Sequence, residues 1–454
     1  MAAENTREIV LDMLLAVERK EAFSHHIARD VLTKYDYLSG QEKAFIKRLF
    51  EGTLERRIEM DYFLNQVSSL PAAKMKPLIR NLLRMGSYQI LYMDSVPDAA
   101  AVSEAVKLAG KRKFHNLKGF VNGVLRKLAA NKEQLKLPSE ENEPEMYLSV
   151  AFSMPLWLVR HFLSLYSYEK TKQIASGLLE ARPVTIRFRQ SLAEGQKKAL
   201  IAGFRERGIT VSRHPFVKEA YCLTNCDNPA ALPGYGEGSF VMQDASSMLA
   251  VMAAGIKPGD FVLDMCAAPG GKTLLAAEYA GEKGRVWARD ISEQKVSLIE
   301  ENVKRMGLSN VEIKVWDATK PDPAMQDGAD VVIADVPCSG LGVIGRKNDI
   351  KYRQTPEAVK EIAALQKEIV RQACASVKPG GVLLYSTCTI NPVENEDMAD
   401  WICREFGYTL DSLTAFLPNM PETKTAEEGY LQLLPGVHDT DGFFFARLVK
   451  VKVE

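Results

Sequence analysis

From residue 261 to 388 the chain alternates short apolar runs with amphipathic helical ones. The stretches "FVLDM" (261–265), "GRVWARD" (284–290), "VEIKVWD" (311–317), "ADVVIADV" (329–336) and "GVLLYSTC" (381–388) read as strands. Helical patterns fill the gaps near 272–280, 292–307 and 356–377. Strands that alternate with helices pair in parallel through crossovers, so this stretch predicts a doubly wound α/β sheet of Rossmann-like type. Ligands in such sheets bind beyond the carboxyl ends of the strands, which singles out the residues that directly follow each one.

The remainder is organised differently. Residues 1–140 show helical periodicity and almost no strand signal, starting with Ile9, Val10, Met13, Leu14 and Val17 on one face. The segments "IRNLLRMGSYQILYMD", "AAAVSEAVKLAG" and "GFVNGVLRKLAA" extend that all-helical domain. "LPSEENEPEM" (137–146) is acidic, carries two prolines and reads as a linker. Residues 147–240 read as a small α/β domain, with a helical part at 155–180 and strands at 183–190, 209–214, 220–225 and 238–243. Its Arg182, Arg187 and Arg189 are candidates to face RNA or water. Residues 241–454 form the third expected domain.

Net charge is zero over 454 residues, but it is unevenly spread. Residues 1–140 hold 23 Lys+Arg against 17 Asp+Glu, a net of +6, and residues 243–454 hold 23 against 31, a net of −8. A basic part able to hold a polyanion, with an acidic part doing chemistry, fits this asymmetry; so do ordinary solvated helix faces. The densest basic run is Lys111, Arg112, Lys113, Lys118, Arg126 and Lys127, and a second cluster is Arg346, Lys347, Lys351 and Arg353. No run reaches the ~18 apolar residues of a membrane helix, and a secretory leader is not expected. Seven scattered cysteines suit a reducing cytosol better than a disulfide framework. Cys222 and Cys226 lack a second ligand pair at zinc spacing, so no metal is expected, and a monomer is the default.

The first strand of the α/β stretch runs into "DMCAAPGGKT" (264–273). A phosphate-binding P-loop requires glycine where Cys266 stands, and G-x-G-x-x-G is absent. What remains is a Gly-rich strand-to-helix turn whose amides can approach a ligand. The second strand ends at Asp290, placed to accept from ribose hydroxyls, and the third at Asp317, placed for an adenine amino group. A nucleoside cofactor without an obligatory polyphosphate, such as S-adenosylmethionine, fits this set. The alternative is that both aspartates cap the helices that follow them.

The fourth strand ends in "DVPCSG" (335–340) and the fifth in "STC" (386–388), bringing Cys338 and Cys388 to the ligand side. Cys374 and Cys403 read as small apolar residues. Carbon 5 of cytosine is too weak a nucleophile to take a methyl group unaided; a thiolate added at carbon 6 makes it an enamine. A second group must then help the carbon 5 proton and the thiolate to leave. An acid such as Asp335 near N3 or the exocyclic amine stabilises the adduct. The target base must be splayed out of its stack.

"VLDMCAAPGGKT", "DVPCSG", "YSTCTI", "DGFFFARL" (441–448) and "QDASS" (243–247) together resemble the RNA cytosine-5 methyltransferases of the NOL1/NOP2/Sun group, over residues 240–450. The run from "LLRMGSYQIL" to "VNGVLRKL" resembles the helical domain of the antitermination factor NusB. The resemblance implies a Rossmann-like catalytic domain using S-adenosylmethionine, with 16S ribosomal RNA as the substrate class. It implies cofactor contacts from Cys266, Ala267, Ala268, Pro269, Gly270, Gly271 and Lys272, ribose held by Asp290, adenine by Asp317, and Asp335 beside methionine and cytosine. It further implies Cys388 as the nucleophile and Cys338 as the cysteine aiding release. DNA cytosine methyltransferases use the cysteine of a Pro-Cys pair instead, so spacing alone does not choose between them. For RNA, Lys111, Arg112, Lys113, Arg346, Lys347 and Arg353 are the expected contacts. Two other readings are a binding module on an inert sheet, and a methyltransferase acting on transfer RNA, DNA or protein.

Overall fold

The computed structural model describes residues 5–180, 182–226, 228–420 and 424–452. It divides into two compact units: Met1–Leu179 with Ile344–Arg353, and Glu180–Val343 with Gln354–Glu454.

The first unit is helical around a core that includes Val10, Leu14, Ile46, Phe50, Leu64, Leu82 and Leu125. Local signals set its helix ends. The Asn5 side chain accepts from the Arg7 and Glu8 amides and caps Thr6–Glu18. Ser39 and Glu42 form a reciprocal capping box on Gly40–Glu55. The unit extends past the expected boundary at 147. Helices Pro144–Ala151, Leu156–Leu165 and Tyr168–Gly177 belong to it, burying Leu148, Leu158, Phe162 and Ile174. An amphipathic helix buries its stripe wherever a partner face exists; here the loop at Ser153 is tied in by the Ile58 amide at 2.9 Å.

The same unit takes in Ile344–Arg353, a segment that interrupts the second unit in sequence. Ser24 donates to Asp349 from its amide at 3.0 Å and its hydroxyl at 2.5 Å. Lys351 is 1% exposed and donates to the Glu55 carbonyl at 2.7 Å. Burial pushes its ammonium down to about 7. Tyr352 donates to the Leu54 carbonyl at 2.8 Å. Arg353 donates to Asp349 at 2.9 Å and to the Ala22 carbonyl. The second basic cluster is therefore corrected in part: Lys351 and Arg353 are bound inside the helical unit, while Arg346 and Lys347 stay exposed.

The second unit holds two sheets. The smaller is antiparallel, built from β1 (Val184–Phe188), β2 (Thr210–Arg213), β3 (Ala220–Thr224) and β4 (Phe240–Met242) in the order β2-β3-β1-β4. Its candidate arginines are engaged within the unit, and Arg187 is buried while Arg182 and Arg189 are half-buried. Arg187 is 1% exposed, pairs with Glu278 and donates to Gln243 at 3.1 Å. Arg182 donates to the Thr440 carbonyl, and Arg189 to that of Met306 at 3.4 Å.

The larger sheet contains β5 (Phe261–Asp264), β6 (Arg285–Asp290), β7 (Val311–Val315), β8 (Ala329–Asp335), β9 (Val377–Thr387), β10 (Tyr408–Leu410), β11 (Tyr430–Leu433) and β12 (Phe443–Lys450). Its order is β10-β12-β9-β8-β5-β6-β7, with β11 beside β12. The five expected strands are parallel, and β10, β11 and β12 add antiparallel pairings. The chain runs from β5 outward through β6 and β7, then returns to β8 on the other side of β5. That reversal opens the crevice of a doubly wound sheet beyond the ends of β5 and β8. No single helix among the described residues is long and apolar enough to cross a membrane.

Candidate active site

Four of the parallel strands deliver an aspartate at or just past their ends: Asp264, Asp290, Asp317 and Asp335. After β5 the chain turns through Met265–Gly270 into helix Gly271–Ala280. Gly270 has φ +107°, a conformation open to glycine, and it puts the helix N-terminus at the crevice. Asp290 is 4% exposed and accepts from the Ala268 amide at 3.0 Å and the Ile291 amide at 2.8 Å. Lys295 pairs with it at 3.0 Å. The carboxylate thus shapes the Gly-rich turn as well as standing at the crevice, a role the sequence reading lacked. Asp317 is half-buried and accepts from the amide (2.9 Å) and hydroxyl (2.7 Å) of Thr319, which lower its carboxyl below the ordinary value.

Asp264 is fully enclosed. Its one hydrogen-bonded oxygen accepts from Thr273 at 2.7 Å, and the other has no partner. Burial pushes its carboxyl up to about 7, with Asp335 and Asp290 adding to the effect and Lys272 opposing it. Cys266 lies among the same charges; burial first, then Asp290, Asp264 and Asp335, push its thiol well up. Carboxylates facing few cations suit a ligand bearing positive charge, and an orphaned buried oxygen suits one bearing donors. The sulfonium, ammonium and ribose of S-adenosylmethionine meet both needs.

Asp335, at the end of β8, accepts from Lys272 at 2.7 Å and from Ser386 on β9 at 2.8 Å. Lys272 also reaches Ser247 at 3.3 Å and sits 4.9 Å from the Phe443 ring centroid. Each Asp335 oxygen keeps a lone pair to accept from a further donor.

Cys338 and Cys388 follow β8 and β9, which are neighbours, and their sulfurs are 2.9 Å apart. The Cys388 amide donates to the Cys338 sulfur at 3.3 Å. The bond to Cys388 and burial push the Cys338 thiol well above its ordinary range, and the charges of Glu394 and Asp335 add to this. Cys374 is buried under the sheet, as a small apolar residue should be, with its thiol pushed up to about 12 by burial.

The sequence reading missed what holds the sulfurs. Glu394 is fully buried and accepts from the Ser339 amide (2.8 Å), the Ser339 hydroxyl, Gln366 (2.9 Å) and Asn391 (3.1 Å). Gln366 also donates to the Pro337 carbonyl at 3.0 Å. Asn395 accepts from Thr387 at 2.5 Å and donates to the Thr389 carbonyl at 3.1 Å. The signal was the polar run "NPVENE" directly after the fifth strand, whose burial no local pattern announces. The terminal "DG" is also explained. A Cβ on Gly342, in the loop after Cys338, would lie 2.0 Å from the Gly442 carbonyl oxygen, and the Gly442 amide donates to the Gly342 carbonyl at 2.9 Å. Only glycine permits that approach.

Of the cations expected at RNA, Lys111 pairs with Glu8 at 2.5 Å and Arg112 with Asp12, both within the helical unit. Lys113 is exposed. Among the described residues no group of three or more His, Cys, Asp or Glu could hold a metal ion.

Residues 251–449 match the family model described as 16S rRNA methyltransferase RsmB/F, and residues 4–130 match the NusB family. A relative from Bacillus subtilis (strain 168), named probable ribosomal RNA small subunit methyltransferase B, is 34% identical, covering 99% of this chain and 100% of its own. The solved structure of PH0851 superposes with a TM-score of 0.80 at 25% identity over 99% of both chains. A methyltransferase homologue from Pyrococcus horikoshii aligns with a TM-score of 0.56 at 26% identity, over 68% of this chain and 99% of its own.

Proposed function

The chain belongs to the RsmB/F family of 16S rRNA methyltransferases, and on that footing we propose that it methylates carbon 5 of a cytosine in small-subunit ribosomal RNA through a covalent bond from Cys388. The observation that carries this reading is the pair of sulfurs 2.9 Å apart at adjacent strand ends, beside an Asp335 that retains free lone pairs. S-adenosylmethionine supplies an electrophilic methyl group. The Gly-rich turn from Cys266 through Lys272 holds it, with Asp290 accepting from the ribose and Asp317 from the adenine amino group.

Cys388 adds as thiolate to carbon 6 of the ring, which makes carbon 5 nucleophilic. The Cys338 sulfur lies 2.9 Å from the Cys388 sulfur, close enough to share a proton with it. Asp335 accepts from the exocyclic amine and orients the base, while Lys272 and Ser386 fix Asp335 in turn. After methyl transfer the Cys338 sulfur, in its thiolate form, takes the carbon 5 proton, the electrons of that bond form the carbon 5–carbon 6 double bond, and Cys388 departs as thiolate with the electrons of the carbon 6–sulfur bond. Cys338 assists that release. Lys113, Arg346 and Lys347 are the surface cations we assign to phosphate contacts, with the helical unit docking structured RNA.

Bisulfite mapping of ribosomal and transfer RNA from cells with and without the gene tests this reading. A single 16S cytosine that loses its mark is the expected result. Loss confined to transfer RNA, or no loss at all, overturns it.

A further inference from the structure

The cations expected to meet RNA are largely engaged elsewhere: Lys111 and Arg112 with acids, Arg353 and Arg182 with carbonyls, Arg187 with Glu278. The small antiparallel sheet presents a different set. Helix Glu194–Glu206 packs beside the edge strand β2, and between them opens a groove of about 320 Å³. Lys197, Lys198, Arg205 and Arg213 line it, with Glu194 as the acidic lining residue. Glu194 pairs with Lys197 at 2.7 Å, and its carboxyl is held below the ordinary range first by that bond, then by the charges of Lys197, Lys198 and Arg213. Among the described residues no carboxylate lies within ion-pair distance of Lys198, Arg205 or Arg213.

Lys198 and Arg205 are seven residues apart, two turns of one helix face, about 10 Å along the axis. Arg213 stands across from them on β2. Ile201 and Val211 are the half-buried apolar floor, and Tyr221 is 6% exposed, too enclosed for a base to stack on. A line of cations over an apolar floor, with neither a stacking platform nor a rank of amides, matches a phosphodiester backbone more than base edges. The groove is too narrow for a duplex and suits a single strand laid along the line of cations.

We propose that this groove binds the sugar-phosphate backbone of single-stranded substrate RNA, holding it without reading its sequence. This rests on RNA being the substrate, as argued above, but concerns a surface separate from the crevice residues.

The test uses the full chain and a fluorescently labelled oligouridylate of twelve nucleotides, followed by anisotropy across a salt series. Replacing Lys198, Arg205 and Arg213 together by glutamine is expected to weaken binding about tenfold at 0.1 M salt. The slope of log affinity against log salt should fall by about 2, for three lost phosphate contacts on a single strand. The triple variant should retain kcat at saturating RNA while KM rises. If it unfolds, the double variant Lys198→Gln/Arg205→Gln, both on the exposed helix face, should lower the slope by about 1.4. An unchanged affinity and slope in a folded variant overturns the proposal. So does displacement of the RNA by a polyglutamate peptide of equal charge at equal concentration, which would make the groove a site for acidic protein. Because binding is read without methyl transfer, failure here leaves the proposed reaction standing, and failure of the reaction leaves the groove testable.

Discussion

The hydroxyl oxygens of Ser339 and Thr389 lie 2.7 Å apart, and each belongs to the residue directly after one of the paired cysteines. Glu394 closes the arrangement by accepting from both the amide and the hydroxyl of Ser339. The spacing of the sulfurs is therefore set by this clamp as well as by the strands. Glu394→Gln places an amide donor against existing donors, and each buried donor left unpaired costs about 1–3 kcal/mol. A lower melting temperature is expected, together with a kcat reduced at least tenfold and little change in cofactor affinity. Ser339→Ala removes one hydroxyl and should do the same more mildly. The readout specific to positioning is the rate at which diamide links Cys338 to Cys388, measured by mass after alkylation. A folded Glu394→Gln variant that cross-links at the wild-type rate would refute the clamp.

The five parallel strands and the crevice they define were legible because apolar runs and turn residues are local signals. So was the helix of residues 6–18, where burial of Ile9, Val10, Met13, Leu14 and Val17 follows the period. The clamp was not, because Glu394 meets Ser339 across 55 positions of sequence and reads locally as a loop acid. The added antiparallel strands were missed for a related reason. The six leading residues of β12 are buried, so its apolar run lacks the alternation that marks a half-exposed strand. Charge misled in a different way: Lys111 and Arg112 are dense in sequence but lie against Glu8 and Asp12, acids a hundred positions away.

Asp290 supports the Gly-rich turn through the Ala268 amide in addition to facing the crevice. Asp290→Ala should therefore weaken S-adenosylmethionine binding at least tenfold and also lower the melting temperature, by the equivalent of about 1–3 kcal/mol for a buried amide left unpaired. Asp290→Asn retains an acceptor for that amide and should recover most of the stability but not the affinity. Calorimetric titration beside thermal melts separates the two. Equal loss of both quantities in the Asn variant would remove the ribose contact from the reading.

Asp264 carries a pH dependence whose sign follows from its burial. Its carboxyl titrates near 7 when folded, above its ordinary value of 3.8, so the folded state holds the proton more tightly than the unfolded one. The stabilisation is complete below 3.8 and is lost as pH rises through 7. Asp264→Asn mimics the neutral form and keeps an oxygen for Thr273, so it should flatten the change in stability between pH 5 and 8. Denaturant melts at both pH values check this. Parallel pH profiles for the two proteins would place the titration elsewhere.

The two cysteines should fail in different ways. Cys388→Ala removes the sulfur proposed to attack carbon 6, so it should neither methylate nor become linked to RNA. Cys338→Ala retains that sulfur and should still form the carbon 6 bond, then stall before release with protein attached to RNA. Both substitutions delete one sulfur from half-buried turns in the same crevice, so a general packing defect would affect them alike. A denaturing gel of labelled RNA reads the difference as a slow, protease-sensitive band with Cys338→Ala and none with Cys388→Ala. The reverse pattern assigns the nucleophile to Cys338. Full activity in both variants with no band would exclude a covalent route through either of these sulfurs.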